Sequence, residues 1–430
     1  MKSERISSHA QVVVAMLLIV GMYLPSSTDG EHSRFWVFML FAALISLLGY
    51  LAWNLGVLSK AVTRITLPIL IVLLVCTFVA FIQGPSQFDF GMFVKFSALA
   101  MVLCLDLRRL RPGRLVYRAF VLVNCISIAL GTGILVGSDW ATEFVTKYYW
   151  SFYPGLVPAM LSLHKPVLMF GSHSVAAFFF YLFFWVNWKD YELRRRPLAL
   201  FFALGNFILL LGLTSFTSVG FGALALVQMS VWLWGTRRKL VIAGGLCLVA
   251  SLPFALRIAA YQVDQLADLP RFADGVFLNS DLSGPLARYG LGGELRMAII
   301  YLLHHPLSPI GFTVGPSAYL DDVATPSHFF IGDSGPLEYL LRGSVPLLFL
   351  IYFGLYKFLR QNLMSRNHAW GLFLAILLFE SGFSVLGYPR TYYLLPFFVI
   401  YLNGVASSHV IHSASVTVGA PIRYPIVSSV

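Results

Sequence analysis

A chain of 430 residues that is 58% hydrophobic and only 11% charged, with a mean hydropathy of +0.78, has too little polar surface to cover a soluble globule, in which about 25% of residues are charged. The composition excludes a soluble fold and points to a polytopic membrane protein. The formal net charge of +11 follows from basic loops beside anionic lipid headgroups, with no nucleic-acid partner expected.

In chain order, apolar stretches near the roughly 20 residues that cross ~30 Å of hydrocarbon predict membrane helices at 8–26, 35–55, 65–83, 90–106, 115–137, 173–188, 197–214, 218–235, 240–257, 335–356, 369–387 and 391–408. The expected fold is an all-α polytopic membrane protein of about twelve spans. It divides into an N-terminal bundle of about nine spans over residues 1–256, a polar interval over 257–334, and about three spans with a short tail over 335–430. The first stretch reads as a retained helix, because Met22-Tyr23-Leu24-Pro25 lacks the small residues of a signal cleavage site. Cys76, Cys104, Cys125 and Cys247 all fall inside predicted spans, where they act as small apolar residues; neither a disulfide framework nor a zinc site is expected.

Lysine and arginine mark cytoplasmic loops. With the N-terminus inside, the inner segments carry Lys2 and Arg5; Lys60 and Arg64; Arg108, Arg109, Arg111 and Arg114; Lys189, Arg194, Arg195 and Arg196; Arg237, Arg238 and Lys239; Lys357, Arg360 and Arg366; and Arg423. The outer loops hold few, such as Arg34 and Arg390. Both termini are therefore expected in the cytoplasm, and the polar segments 138–172 and 257–334 outside.

The shorter outer segment holds Tyr148, Tyr149, Trp150 and Tyr153, an aromatic set suited to a membrane interface. Lys165 and His173 stand where the sixth span emerges and are expected to face any outer cavity. The longer segment exceeds an idle connection. It begins with Asp264, Asp268, Asp274 and Asp281, and later carries a short apolar run, Met297 to Leu303, expected as a helix at the membrane surface. Arg288 and Arg296 are about two helical turns apart and would share a face on a helix. Guanidinium groups there can clamp a pyrophosphate through paired charge-assisted bonds, pair with a nearby acid such as Glu294, or reach to headgroups.

His304 and His305 are adjacent, about 100° apart on a helix, and with His328, Asp321, Asp322 and Asp333 they show no metal-ligand spacing. No metal or cofactor is expected. His328 or Asp333 could act as a general base toward an acceptor hydroxyl, the alternative for His328 being a plain loop histidine. Gly332-Asp333-Ser334-Gly335 has the letters of a protease nucleophile loop but opens a membrane helix, where Ser334 or Asp333 suits an N-cap. Arg342 and Glu380 each lie about 10 Å inside the outer surface, at a depth where charges are paired or functional. They could form an ion pair between adjacent helices, or Arg342 could line an outer cavity. Lys95 is shallow and expected to snorkel.

Several of these segments together resemble the Wzy-type bacterial polysaccharide polymerases and the related O-antigen ligases. The resemblance is carried by Lys165-Pro166 through Phe170-Gly171-Ser172-His173-Ser174; by Leu213 through Ser218; by Glu294-Leu295-Arg296, His305-Pro306-Leu307 and Ile310-Gly311-Phe312; and by His328, Asp333, Leu337-Glu338-Tyr339 and Gly343. It implies a GT-C-like glycosyltransferase architecture in the bacterial inner membrane, with a large periplasmic loop. It further implies metal-independent glycosyl transfer from an undecaprenyl-pyrophosphate-linked oligosaccharide to a growing polysaccharide chain. Arg288, Arg296, Lys165, His173 and Arg342 would bind pyrophosphate or sugar, and His328 or Asp333 would activate the acceptor. A chain-length regulator and a flippase are the implied membrane partners. Lys165 stands where the ligases carry an arginine, and their His-Asn pair is missing, which favours polymerase over ligase. A ligase that delivers glycan to lipid A core, or a flippase, is the alternative reading.

Overall fold

The computed structural model describes residues 8–28, 31–32, 34–54, 63–85, 88–108, 110–149, 156–236, 302–303, 310–313, 334–380 and 384–418. Those residues form 13 α-helices. They are α1 (Ser8–Tyr23), α2 (Arg34–Asn54), α3 (Thr63–Gln83), α4 (Phe90–Leu103), α5 (Arg114–Leu135), α6 (Asp139–Tyr148), α7 (Leu156–Ser162), α8 (His173–Arg194), α9 (Pro197–Gly212), α10 (Phe216–Thr236), α11 (Gly335–Asn362), α12 (Arg366–Glu380) and α13 (Pro389–Val418). A 3-10 turn covers Leu168–Phe170, and Ser27–Thr28 pairs antiparallel with Glu31–His32 in a minimal ribbon.

Each predicted span except 240–257, which lies outside the described residues, falls on one of these helices. By length and composition, α5 with 22 residues and α11 with 28 are long and apolar enough to cross a membrane. Shorter apolar stretches run through α1, α2, α3, α4, α9 and α10. The 138–172 segment, expected as an aromatic interfacial loop, instead contains α6, α7 and the 3-10 turn. Its Tyr149 is buried rather than interfacial: the hydroxyl donates to the Tyr23 carbonyl at 2.9 Å and the ring lies 5.7 Å from the Arg390 guanidinium carbon.

Local chemistry sets the helix ends. Asp89 caps α4 by accepting from the Met92 amide, and Ser172 caps α8 by accepting from Val175, both with extended backbones. Ser215 and Ser218 cap the start of α10 reciprocally, each hydroxyl accepting from the other's amide. Pro197 opens α9, where a missing N–H costs nothing. Ser334 occupies the N-cap position of α11 as expected, but its side chain makes no cap hydrogen bond.

The core forms around α8, which is buried on every side from Val175 to Trp188 and packs against α9, α10 and α13. Its aromatics interlock with neighbours: Phe179 stacks on Phe170 at 4.7 Å, and Phe183 on Phe120 at 5.8 Å. α1 packs on α13, α5 and α2, whereas α11 packs on α12 and α3. The outward face of α3 is apolar, with Leu67, Leu74, Phe78 and Ile82 exposed.

Inside the bundle, three asparagines from three helices converge. The Nδ2 groups of Asn187 on α8 and Asn206 on α9 both donate to Asn124 Oδ1 on α5 at 2.9 Å, and all three amides also donate to the carbonyl one turn back. In an apolar surrounding such bonds fix which helices meet and in what register.

The turns between helices gather at two ends. At one, the Ser26 amide donates to Tyr148, the Asp89 amide to Phe312, and the Tyr388 hydroxyl to Phe170. At the other, Asn362 bonds both the Leu107 amide and the Leu105 carbonyl, Arg111 donates to Asn403, and Arg194 donates to Gly404. The second end carries Arg108, Arg111, Arg114, Lys189, Arg194, Arg195, Arg196, Lys357, Arg360 and Arg366 against Asp106, Asp190 and Glu192.

Candidate functional site

The less basic end holds Lys165, Glu338, Arg342, Glu380 and Arg390, all buried. α11 is broken there: Gly343 (φ −141°, ψ 17°) and Ser344 (φ 55°, ψ −161°) leave helical geometry, and Pro346 follows. The break separates the first two turns, Gly335 to Arg342, from the rest of the helix. Within that short piece Glu338 and Arg342 lie one turn apart, 4% and 6% exposed, with Arg342 Nε 3.5 Å from Glu338 Oε1. Glu338 Oε2 and Arg342 Nε make no hydrogen bond among the described residues, and Arg342 Nη1 donates to the Gly311 carbonyl at 3.2 Å.

Of the two readings open for Arg342, an ion pair with Glu380 or a place lining an outer cavity, the first is not formed: Glu380 pairs elsewhere. It is fully buried at the end of α12 and accepts from the Tyr339 hydroxyl at 2.8 Å, the Tyr352 hydroxyl at 3.3 Å and the Leu386 amide at 2.6 Å. Ser384 Oγ lies 3.4 Å from the Tyr339 hydroxyl. A Cβ at Gly335 would overlap Glu380 Oε2, so only glycine lets the first turn of α11 approach this carboxylate. Arg342 misses Glu380 because the i,i+4 spacing inside α11 delivers Glu338 first.

Residues 310–313 run as a strap against the break. The Ile310 amide donates to the Leu341 carbonyl at 2.9 Å, Gly311 to Arg342 at 3.0 Å, and Phe312 to Cys76 on α3 at 3.1 Å. The Phe312 carbonyl accepts from the Asp89 amide at 2.8 Å, and its ring stacks on Phe96 at 5.2 Å. Gly311 has φ +67°, and a Cβ there would overlap the Cys76 carbonyl oxygen, so the strap depends on glycine at this point.

Lys165 lies in the turn between α7 and the 3-10 segment, 2% exposed, with no partner for its ammonium among the described residues. Desolvation brings its pKa down to about 8. His173 is the first residue of α8 and half-buried. The Tyr388–Phe170 hydrogen bond ties this turn to the link between α12 and α13, whose Leu386 amide serves Glu380. Lys165, His173 and Arg342 thus share one end of the bundle. Arg288, Arg296, His328 and Asp333 lie outside the described residues.

Arg390, read from the sequence only as an outer-loop charge, is 3% exposed and donates to the carbonyls of Gly21, Met22 and Leu24, satisfying the last turn of α1. Glu338 and the strap were also missed as site features. Glu338 carries a signal in its i,i+4 spacing to Arg342, and Gly343 with Pro346 announces a break. Among the described residues, Lys95 reaches Met92 Sδ, at 3.6 Å. Among the described cysteines, Cys76 and Cys104 are buried, Cys125 is exposed, and none forms a disulfide with another.

The end that gathers these groups offers buried cations for an anion, a buried carboxylate with an idle oxygen, and tyrosine and serine hydroxyls. No known protein family and no curated protein sequence matches this chain.

Proposed function

We propose that the chain is an all-α membrane glycosyltransferase of about twelve spans that joins undecaprenyl-pyrophosphate-linked oligosaccharide units at the outer face of the bacterial inner membrane. The observation that carries the reading is the segregation of charge. Lys165, Arg342 and Glu338 are buried at one end, and the arginine-rich turns crowd the other, as a cytoplasmic face would require. A donor at the outer face is lipid-linked, since nucleotide sugars are cytoplasmic.

In the proposed reaction His328 or Asp333 accepts the proton of a sugar hydroxyl on the acceptor, the hydroxyl oxygen bonds to the donor's anomeric carbon, and the bond from that carbon to pyrophosphate breaks. The departing pyrophosphate takes the electron pair, and Arg288, Arg296, Lys165 and Arg342 offset its charge. His173 orients the sugar. No metal enters the proposal.

Purified protein incubated with a lipid-pyrophosphate-linked oligosaccharide should yield a ladder of products. Arg288→Ala and Arg296→Ala should each lower the yield at least tenfold at equal protein abundance; normal ladders from both variants would remove the clamp. Transfer of intact glycan to lipid A core would identify a ligase instead. The broken helix α11 gives the flippase reading its one specific support, because interrupted helices mark transporter sites; lipid movement without product would establish that reading.

A further inference from the structure

The strap at residues 310–313 fills the break in α11 and accepts, through the Gly311 carbonyl, the side-chain hydrogen bond that Arg342 makes among the described residues. The Arg342 carbonyl would normally bond the amide four residues on, but that residue is Pro346, which has no N–H. Its partners are the Gly311 amide and, at 3.5 Å, Cys76 Sγ. In return the Gly311 carbonyl accepts from Arg342 Nη1. Among the described residues the buried guanidinium has an ion-pair contact at 3.5 Å from Nε to Glu338 Oε1 but no hydrogen bond at Nε, and its Nη1 meets a neutral backbone oxygen, so its donors are under-satisfied, as is Glu338 Oε2. A bidentate oxyanion would satisfy the fork better than a single peptide carbonyl does.

We propose that the Ile310–Thr313 strap is a shutter over Arg342: docked, its Gly311 carbonyl stands in for a ligand oxygen, and an incoming phosphate-type oxyanion displaces it. The shutter goes beyond the glycosyl-transfer reading and holds whichever reaction the oxyanion's owner undergoes. Cys76 reports on it directly. Its carbonyl receives the Phe312 amide, its thiol faces the break, and it is 1% exposed while the strap is in place. Lifting the strap uncovers the thiol.

The test is the rate of maleimide labelling of Cys76 in the full chain with Cys104, Cys125 and Cys247 replaced by alanine. Inorganic pyrophosphate should raise the rate at least fivefold, and should leave it unchanged in Arg342→Gln. Gly311→Ala, whose Cβ cannot fit against Cys76, should raise the rate at least tenfold without ligand. Phe312→Ala, which keeps the backbone free to dock but loses the ring contacts with Phe93 and Phe96, should give a smaller rise and makes the test independent of how well Gly311→Ala folds. Gly220→Ala, at a position with nothing within 4 Å, serves as the silent control. Parent-like labelling in Phe312→Ala overturns the shutter and leaves a fixed plug. A pyrophosphate effect that persists in Arg342→Gln overturns the assignment of Arg342 as the displaced partner. No product ladder from the parent chain, with the pyrophosphate-dependent labelling present, would reject the glycosyl-transfer reading and leave the shutter standing.

Discussion

Lys165 shows how a single residue can carry a cost that the rest of the chain must offset. The residue is buried, its ammonium has no partner among the described residues, and desolvation lowers its pKa from 10.5 to about 8. Below that value the folded protein holds a desolvated charge that the unfolded chain keeps in water. Between about 8 and 10.5 the folded state is neutral while the unfolded state still binds the proton, so stability rises with pH across that window and levels off above it. The difference corresponds to about 3 kcal/mol. Lys165→Met should therefore raise the melting temperature in detergent at pH 7, with the gain shrinking above pH 8 and gone above about 10.5; a gain independent of pH would show that packing, not charge, is responsible. The sequence marked Lys165 as unusual by its place before an emerging helix. It could not show burial, which arises from the fold of α7 and the 3-10 turn around it.

Among elements, α5, α8 and α9 are held by the three asparagines, and their contributions are unequal. Asn124 Oδ1 serves two donors, so Asn124→Leu strands both Asn187 and Asn206, whereas Asn206→Leu removes one donor together with its own unpaired oxygen. At roughly 1 kcal/mol for each stranded donor, Asn124→Leu should cost about 2 kcal/mol and Asn206→Leu less than half of that. Unfolding curves of the two variants test the order, and equal costs would mean that the bonds to Asn124 are not shared as drawn. The helices themselves were legible because each is a long apolar run. α6, α7 and the strap were not, because α6 and α7 are short and the strap gains its shape from distant partners. Phe312 meets Cys76 and Asp89, and Ile310 meets Leu341, all far away in the chain. The Glu338–Arg342 pair was readable from its spacing. The Glu380–Tyr339 bond was not, since it spans two helices and depends on Gly335 having no side chain.

For the whole molecule, the two-ended arrangement makes a prediction about sidedness. Reporter fusions at Gly137 and Gly387 should give an outer-face signal, and fusions at Arg195 and Ser365 a cytoplasmic one; the opposite pattern at Gly137 would reverse the orientation and place Lys165 and Arg342 inside. Charge asymmetry was the part of this arrangement most legible in the sequence, because it survives any error in the exact limits of a helix. The position of α8 at the centre was less so, since its phenylalanine-rich run looks like any other apolar stretch.

The pairing of α1 with α13 also sets an order of events during synthesis. The carbonyls of Gly21, Met22 and Leu24 emerge first from the ribosome, yet their partner Arg390 arrives near the end. Asp190 on α8 likewise waits for the hydroxyl of Tyr401 on α13. Until α13 packs on α1, the carbonyls that end α1 lack the arginine that satisfies them. A chain stopped before Pro389 would leave these carbonyls unanswered and the Asp190–Tyr401 bond unmade. The docking of α13 on α1 is thus the step that closes the end of α1.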